Sequence, residues 1–396
     1  MERIIMHIDV NNAFLSWTAI DLLEKGYPED IRKISSIIGG DSSKRRGIVL
    51  AKSPVAKLKG IVTAETIYSA KRKDPSLKIF PPNHKMYKKR SDQLFNLLLK
   101  YTPDIEIASI DECYLDYTKV KSLYGDEIEF AYKLKEEIKN KLKFTVNIGI
   151  ANNKLCAKMA SDFQKPDKVH TLYSYEVKEK MYPLPIRDLF TVGRKSAEKL
   201  ENIGIKTIKD LAEQNPYNLK AIFKNNAIRL VEIAQGIDNE EVTSEAFNPK
   251  GISNELTLEE DLTEIEDIYK VLEKLSDMVS KRIRKEKKYA RVICVILKDN
   301  TFKRYSHQKK IKNPTNNYSE ILKYSKELLQ EFYKNEPIRL VGIRLDDLQE
   351  EKTYQISLFE KEPKQDEKVE ELMDSINKKY GKELLKRASF IDNENK

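Results

Sequence analysis

Two adjacent carboxylates, Asp111 and Glu112, sit inside IEIASIDECYLDYT (105–118), a stretch that alternates like a β-strand. Neighbouring side chains on a regular strand point to opposite faces, so the pair would diverge. A turn at Ser109–Asp111 would instead bring both to the tip of a hairpin. Acids that close repel one another unless a cation lies between them, and Mg²⁺, a hard ion that takes carboxylate oxygens, water and phosphates, suits the place. Asp9, in HIDVNNAF, ends an apolar strand where another apolar residue is expected. Strand-end acids far apart in sequence can meet across a sheet. Together the three carboxylates could hold two ions about 3.5–4 Å apart, the geometry of in-line phosphoryl transfer. Spacing alone leaves open a plainer alternative, three solvated turn acids.

The elements that must position them alternate in type. RIIMHIDV (3–10) and FTVNIGIA (144–151) read as strands. DQLFNLLLKYT (92–102), EFAYKLKEEIKNKL (129–142) and NKLCAKMASDF (153–163) have helical apolar spacing. Helices between antiparallel strand signals argue for an α+β layer rather than a doubly wound sheet. Residues 54–75 read as a small basic helical insertion. Residues 173–238 are helical, cut by glycine and proline turns, and a polar linker follows. Residues 251–348 follow a βαββαβ order, with a long helix at 264–285 and a charged tail after it.

The chain has 396 residues, enough for two to four domains, and a net charge of +9, which favours an anionic partner or reflects a lysine-rich proteome. Residues 281–312 hold thirteen Lys/Arg against Glu286 and Asp299, a footprint for a phosphate backbone. Three scattered cysteines without a Cys-x-x-Cys pair argue against zinc and fit a reducing cytosol. The N-terminus lacks a signal-peptide core, and the apolar run VICVIL (292–297) is far short of a membrane span, so a soluble intracellular protein without a membrane partner is expected.

HIDVNNAF, ASIDECYLD and NIGIANNKLCAKMASDFQKPD resemble, in order and spacing, the blocks of Y-family DNA polymerases, the translesion enzymes related to DinB and UmuC. The resemblance reaches to about residue 348. It implies an α+β multidomain, right-hand polymerase: an α+β palm (1–12 and 83–172), small fingers (13–82), an all-α helix–hairpin–helix thumb (173–238), a linker (239–250), a βαββαβ little finger (251–348) and a tail (349–396). It implies that Asp9, Asp111 and Glu112, with the backbone carbonyl of Val10, bind two Mg²⁺ ions. One would lower the pKa of the primer 3′-hydroxyl, and the other would hold the triphosphate of a dNTP. Phe14 matches the aromatic steric gate against the ribose 2′-hydroxyl. Lys165 and Lys57 match basic residues that face the triphosphate. Ser53 is the further expected nucleotide contact; it and Pro54 stand where many members carry Tyr or Ser, and Asn12 and Ala13 replace bulkier residues.

Residues 189–212 resemble a helix–hairpin–helix, with Gly193 permitting the turn and Arg194 and Lys195 opening the next helix toward a phosphate. Thr191 stands where the motif usually has its first glycine. In the little finger, Arg282, Arg284, Lys285, Lys287, Lys288, Arg291, Lys303 and Arg304 are the expected grip on primer–template DNA. QISLF (355–359) resembles the peptide by which bacterial polymerases dock on the sliding clamp, with Gln355 hydrogen-bonding and Leu358 and Phe359 filling an apolar pocket. The expectation is a monomeric, low-fidelity translesion DNA polymerase in the bacterial cytoplasm, associated with the nucleoid. A metal-dependent phosphodiesterase and a catalytically silent DNA- and clamp-binding relative are the alternatives.

Overall fold

The computed structural model describes residues 2–40, 47–245, 248–351, 364–380, 384–385 and 387. The chain divides into two compact units near residue 246, inside the expected linker.

In the first unit, β1 (Ile5–Val10) leads into α1 (Ala13–Glu24). Then come β2 (Ser36–Gly39), β3 (Val49–Lys52), α2 (Pro54–Leu58), α3 (Ile67–Lys73), β4 (Lys78–Phe80) and α4 (His84–Leu98). β5 (Ile105–Ile107), β6 (Glu112–Asp116), α5 (Lys121–Tyr124), α6 (Glu127–Leu142), β7 (Val146–Ala151), α7 (Lys154–Asp162) and β8 (Val169–Leu172) follow. A five-stranded sheet runs β5-β6-β1-β7-β8.

Alternation along β1 sorts its side chains. Met6, Ile8 and Val10 enter a core with Trp17 of α1, Leu94 and Leu98 of α4, and Leu134 and Ile138 of α6. Ile5 enters a second core with Leu155, Ala157 and Met159 of α7. His7 and Asp9 share the Ile5 face by strand period. Full burial of each such aliphatic side chain stabilises by roughly 2 kcal/mol. α7 starts where Asn153 accepts the N–H of Cys156, at 2.8 Å, an N-cap. Gly149 of β7 lets α7 approach: a Cβ there would lie 2.0 Å from the Ala157 carbonyl oxygen and 2.4 Å from the Ser161 nitrogen.

The expected basic helical insertion is richer than read. α2 and α3 pack with a three-stranded sheet, β3-β2-β4, whose short strands carry no readable period. α4 begins eight residues before the expected 92, because Asn83 caps it by accepting the N–H of Met86.

The remaining α-helices described in this unit are α8 (Arg194–Asn202), α9 (Ile208–Ala212), α10 (Pro216–Phe223) and α11 (Asn226–Ala234). They have no separate core. Leu200, Ile208, Leu211, Leu230 and Ala234 share one with α7 and the sheet.

The second unit contains β9 (Gly251–Leu262), α12 (Ile265–Lys285), β10 (Tyr289–Asp299), β11 (Arg304–Thr315), α13 (Tyr318–Phe332) and β12 (Ile338–Gln349), the βαββαβ order expected. Its antiparallel sheet runs β11-β10-β12-β9. Ile293, Val295 and Leu297 of β10 pack against Leu272 and Val279 of α12 and Ile321 and Leu328 of α13. A tail helix, α14 (Lys364–Tyr380), docks through buried Glu370, whose carboxylate takes the Arg284 guanidinium at 2.6 Å and the backbone N–H of Tyr318 at 3.1 Å. Among the described residues no helix is long and apolar enough to cross a membrane.

Candidate active site

The turn expected at Ser109–Asp111 is present. β5 ends at Ile107, β6 begins at Glu112, and the N–H groups of Ala108 and Ser109 both donate to the Glu112 carbonyl at 3.1 Å. Asp9 lies directly opposite Glu112 in the β1–β6 pairing, so both side chains leave the sheet on one face. Asp111 sits in the bend. Its carbonyl accepts the N–H of Val10 at 3.0 Å, and its carboxylate accepts the Ser109 hydroxyl at 2.7 Å. The Val10 side chain is buried in the core below.

Two lysines answer these acids. Lys158, on α7, lies 2.8 Å from Glu112 Oε2 and 3.3 Å from Asp9 Oδ2. Lys165 lies 3.0 Å from Asp9 Oδ1 and 2.8 Å from Asp162 Oδ1. Buried His7 closes the floor, with Nε2 3.4 Å from Glu112 Oε2 and Nδ1 2.8 Å from the Ser161 hydroxyl. That hydroxyl also donates to the Lys158 carbonyl at 2.8 Å.

The titration shifts follow from these contacts. His7, then Lys158, hold the Glu112 carboxyl down to about 2 against the opposing effect of burial. Asp111 is pushed up, first by burial and then by repulsion from Asp9 and Glu112. Burial depresses His7. Burial opposes the charge on Lys158 and Lys165, but the surrounding carboxylates outweigh it and both are raised.

The donor set fits a divalent cation. His7, Asp9 and Glu112 each offer a ligand atom within 4.8 Å of the others. Asp111 is not one of that trio: its carboxylate is bonded to Ser109 and is repelled by the charges of Asp9 and Glu112. The lysine ammonium groups already hold oxygens that an ion would use.

Phe14, in the first turn of α1, is half-buried and stacks on Tyr87 of α4 with ring centroids 4.5 Å apart and planes 7° apart. The Tyr87 hydroxyl pairs with Thr18 at 2.9 Å, which fixes that ring in turn. Lys57 is exposed on α2. Lys52, at the end of β3, is depressed by burial and by the charge of Lys57, as befits two cations facing one space. Ser53 is fully buried, and its hydroxyl oxygen accepts the N–H groups of Ala56 and Ser36, so it acts as the cap of α2.

In the hairpin before α8 the left-handed backbone falls on Thr191, at φ 77°, while Gly193 is extended at φ −73° and is the N-cap. The freedom assigned to Gly193 is therefore not used there. It is needed at Thr191, where the motif usually has glycine. Arg194 is exposed and pairs with Glu198 at 3.3 Å, and Lys195 is exposed.

In the second unit Lys285, Lys287 and Lys303 are exposed, as is Arg304, which pairs with Glu255. Others of the basic run are engaged. Arg282 donates to the Ser253 carbonyl at 2.7 Å, and Arg284, 10% exposed, is held by Glu370 and Asp374. Lys288 is buried against Asn248, and Arg291 is half-buried. Strand register gathers a further basic set on the sheet face away from the helices. Lys298 pairs with Arg304, Val292 with Lys310 and Cys294 with Arg344. The clamp-like segment Gln355–Phe359 lies outside the described residues.

The sequence reading missed His7, Lys158, Lys52 and Tyr87. The available signal was period. His7 is two residues before Asp9 on one strand, and Lys158 is one helical turn before Asp162 on the one side of α7 that is not fully buried.

Known proteins resemble the chain along most of its length. Residues 8–162 match the impB/mucB/samB family, residues 249–358 its C-terminal domain, and residues 176–205 the IMS family HHH motif. A DNA polymerase IV of Clostridium acetobutylicum is 46% identical over the whole of both chains. DNA polymerase IV 1 of Bacillus subtilis is 33% identical across 99% of this chain and 94% of its own. Among solved structures, a Y-family DNA polymerase chimera of Dbh and Dpo4 has a TM-score of 0.77 at 27% identity, covering 87% of this chain and 99% of its own. The insertion ternary complex of Dbh DNA polymerase has a TM-score of 0.60 at 27% identity, covering 87% and 98%. On this evidence the chain belongs to the Y-family DNA polymerases, as a DinB-like member.

Proposed function

We propose that Asp9, Asp111, Glu112 and the Val10 carbonyl hold two Mg²⁺ ions at the centre of a nucleotidyl-transfer site. The chain is a DNA-directed DNA polymerase of the translesion type, and it takes primer–template DNA and a dNTP. In the reaction the primer 3′-oxygen attacks the α-phosphorus, a new phosphodiester bond forms, and the bond to pyrophosphate breaks. Mg²⁺, when bound, supplies the Lewis acidity that eases loss of the 3′-hydroxyl proton and the charge that stabilises the leaving group. The observation that carries the reading is Asp9 set opposite Glu112, with two lysine ammonium groups standing on their oxygens.

The chain's own residues supply the rest. Lys165 lets go of Asp9 and, with Lys57, holds the triphosphate as a point charge. Phe14, stiffened by Tyr87, blocks a ribose 2′-hydroxyl. Gly193, Arg194 and Lys195 offer the start of α8 to a backbone phosphate. The exposed Lys285, Lys287, Lys303 and Arg304 grip the duplex, together with Lys298, Lys310 and Arg344 on the open sheet face. The first unit is read as palm (1–12 and 83–172), fingers (13–82) and thumb (173–238), and the second as the little finger. Gln355, Leu358 and Phe359 are the proposed clamp contact of a monomeric enzyme acting on the bacterial chromosome.

Incubation with a labelled primer–template and Mg²⁺, with and without dNTPs, tests the reaction. Extension that depends on dNTPs is expected. Shortening of the primer without dNTPs would mark a phosphodiesterase, and DNA binding without either outcome would mark a silent relative.

A further inference from the structure

The observation that asks for an explanation is Lys158. It lies in the middle of α7 and its side chain is 12% exposed. Its ammonium spans Asp9 and Glu112, the two carboxylates set opposite one another on β1 and β6. Both carboxylates belong to the cluster whose ligand atoms lie within 4.8 Å of one another. A divalent ion placed there would stand a few ångströms from a fixed positive charge, an arrangement strongly disfavoured at low dielectric. The ammonium has somewhere else to go. Asp162, one helical turn on and half-exposed, already lies 3.5 Å from Lys158 and 2.8 Å from Lys165.

We propose that Lys158 is a resident counter-ion. In the DNA-free enzyme its ammonium holds Asp9 and Glu112 in place, and it must swing to Asp162 before a divalent ion can bind. This deepens the metal-site reading of Asp9, Asp111 and Glu112 and rests on it. The consequence is an order of events. The free polymerase binds divalent ions weakly. Ion binding strengthens when a dNTP brings its own phosphates, because these offer new oxygens to the ion and new partners to the displaced lysines. Lys158 is a positioning residue in this scheme, and Asp162 is its alternative partner.

The test measures Mn²⁺ binding to the full chain by electron paramagnetic resonance and titration calorimetry, without DNA. Lys158→Met keeps length and packing and removes the charge, and its Mn²⁺ affinity is expected to rise by about tenfold or more over wild type. Asp162→Asn removes the alternative partner, and its Mn²⁺ affinity is expected to fall. Thermal melting in a chelator supplies an independent readout. Lys158→Met should melt below wild type, since its carboxylates are left uncompensated, and should recover more than wild type when Mn²⁺ is added. Equal or weaker Mn²⁺ binding by Lys158→Met would overturn the proposal, as would equal melting in chelator. A parallel titration of wild type with a dideoxy-terminated primer–template and a matching dNTP separates the two levels. Failure to bind Mn²⁺ in that complex would refute the carboxylate site itself.

Discussion

Gly149 is the position where one methyl group should do most damage. It sits on β7 opposite His7, under the middle of α7. An added Cβ would lie 2.0 Å from the Ala157 carbonyl oxygen, 2.4 Å from the Ser161 nitrogen and 3.0 Å from the Ala160 Cβ. Two of these are backbone atoms of a helix and cannot rotate away. Reaching an ordinary contact of 3.4 Å requires α7 to retreat from the sheet by more than an ångström. α7 carries Lys158, and Lys165 follows it, so their contacts of 2.8 Å to Glu112 and 3.0 Å to Asp9 would be lost. Overpacking of this kind costs about 3 kcal/mol, at the upper end of its usual range. For a unit of this size that corresponds to a melting temperature roughly 6–12 °C lower. Misplacement by about 1 Å at a reacting centre can also cost on the order of 100-fold in rate. Gly26→Ala is the matched control, because Gly26 has φ +84° with nothing within 4 Å of a new Cβ, so only backbone strain is added. It should lose about 1 kcal/mol and leave primer extension unchanged. Differential scanning fluorimetry and steady-state extension on both variants decide the matter. If Gly149→Ala melts no lower than Gly26→Ala and extends primers at the wild-type rate, the claim that helix-to-sheet contact sets the site is wrong.

Phe14→Ala should raise ribonucleotide incorporation relative to dNTP incorporation by an order of magnitude or more, since it removes the ring that Tyr87 supports. Unchanged sugar selectivity would remove Phe14 from the role. Thr191→Gly should stabilise the first unit by about 1 kcal/mol, because a β-branched residue is strained at φ 77°; an equal or lower melting temperature would contradict this. Asp74 is buried and held well below the usual carboxylate range by Lys59, Ser35 and Ser76. A depressed carboxyl stabilises the fold above its unfolded pKa and loses that contribution as pH falls through acid values. Asp74→Asn should therefore cost about 2 kcal/mol at pH 7, with Lys59 partly exposed. The gap between the two melting curves should begin to narrow below about pH 4 and close only as pH nears the depressed folded value, and a gap independent of pH would argue against the ion pair.

Much of the fold could be read in the sequence where period was long enough to carry information. The βαββαβ unit has strands of eleven or twelve residues and a strongly amphipathic helix, and its order matched. The break in alternation at Asp111–Glu112 announced the turn that the structure contains. The three-stranded sheet of β2, β3 and β4 was not legible, because strands of three or four residues hold barely one repeat. The acids of the site were legible because carboxylates at strand ends are anomalous. Lys158 was not, because a lysine on a helix is ordinarily solvated, and only the packing of α7 against β1 turns this one inward. Arg284 shows the converse. Charge density alone suggested a free phosphate contact, but the tail helix supplies Glu370 and Asp374 as its partners.

The central claim is that Asp9, Asp111 and Glu112 act as one ion-holding centre for nucleotide transfer. Single-turnover incorporation on a damaged template, with Mg²⁺ and a correct dNTP, tests it most directly when wild type is compared with Asp111→Asn and Glu112→Gln. Both variants should bind primer–template as tightly as wild type and lose incorporation by about 1,000-fold or more. Incorporation within a few-fold of wild type in either variant would contradict the account.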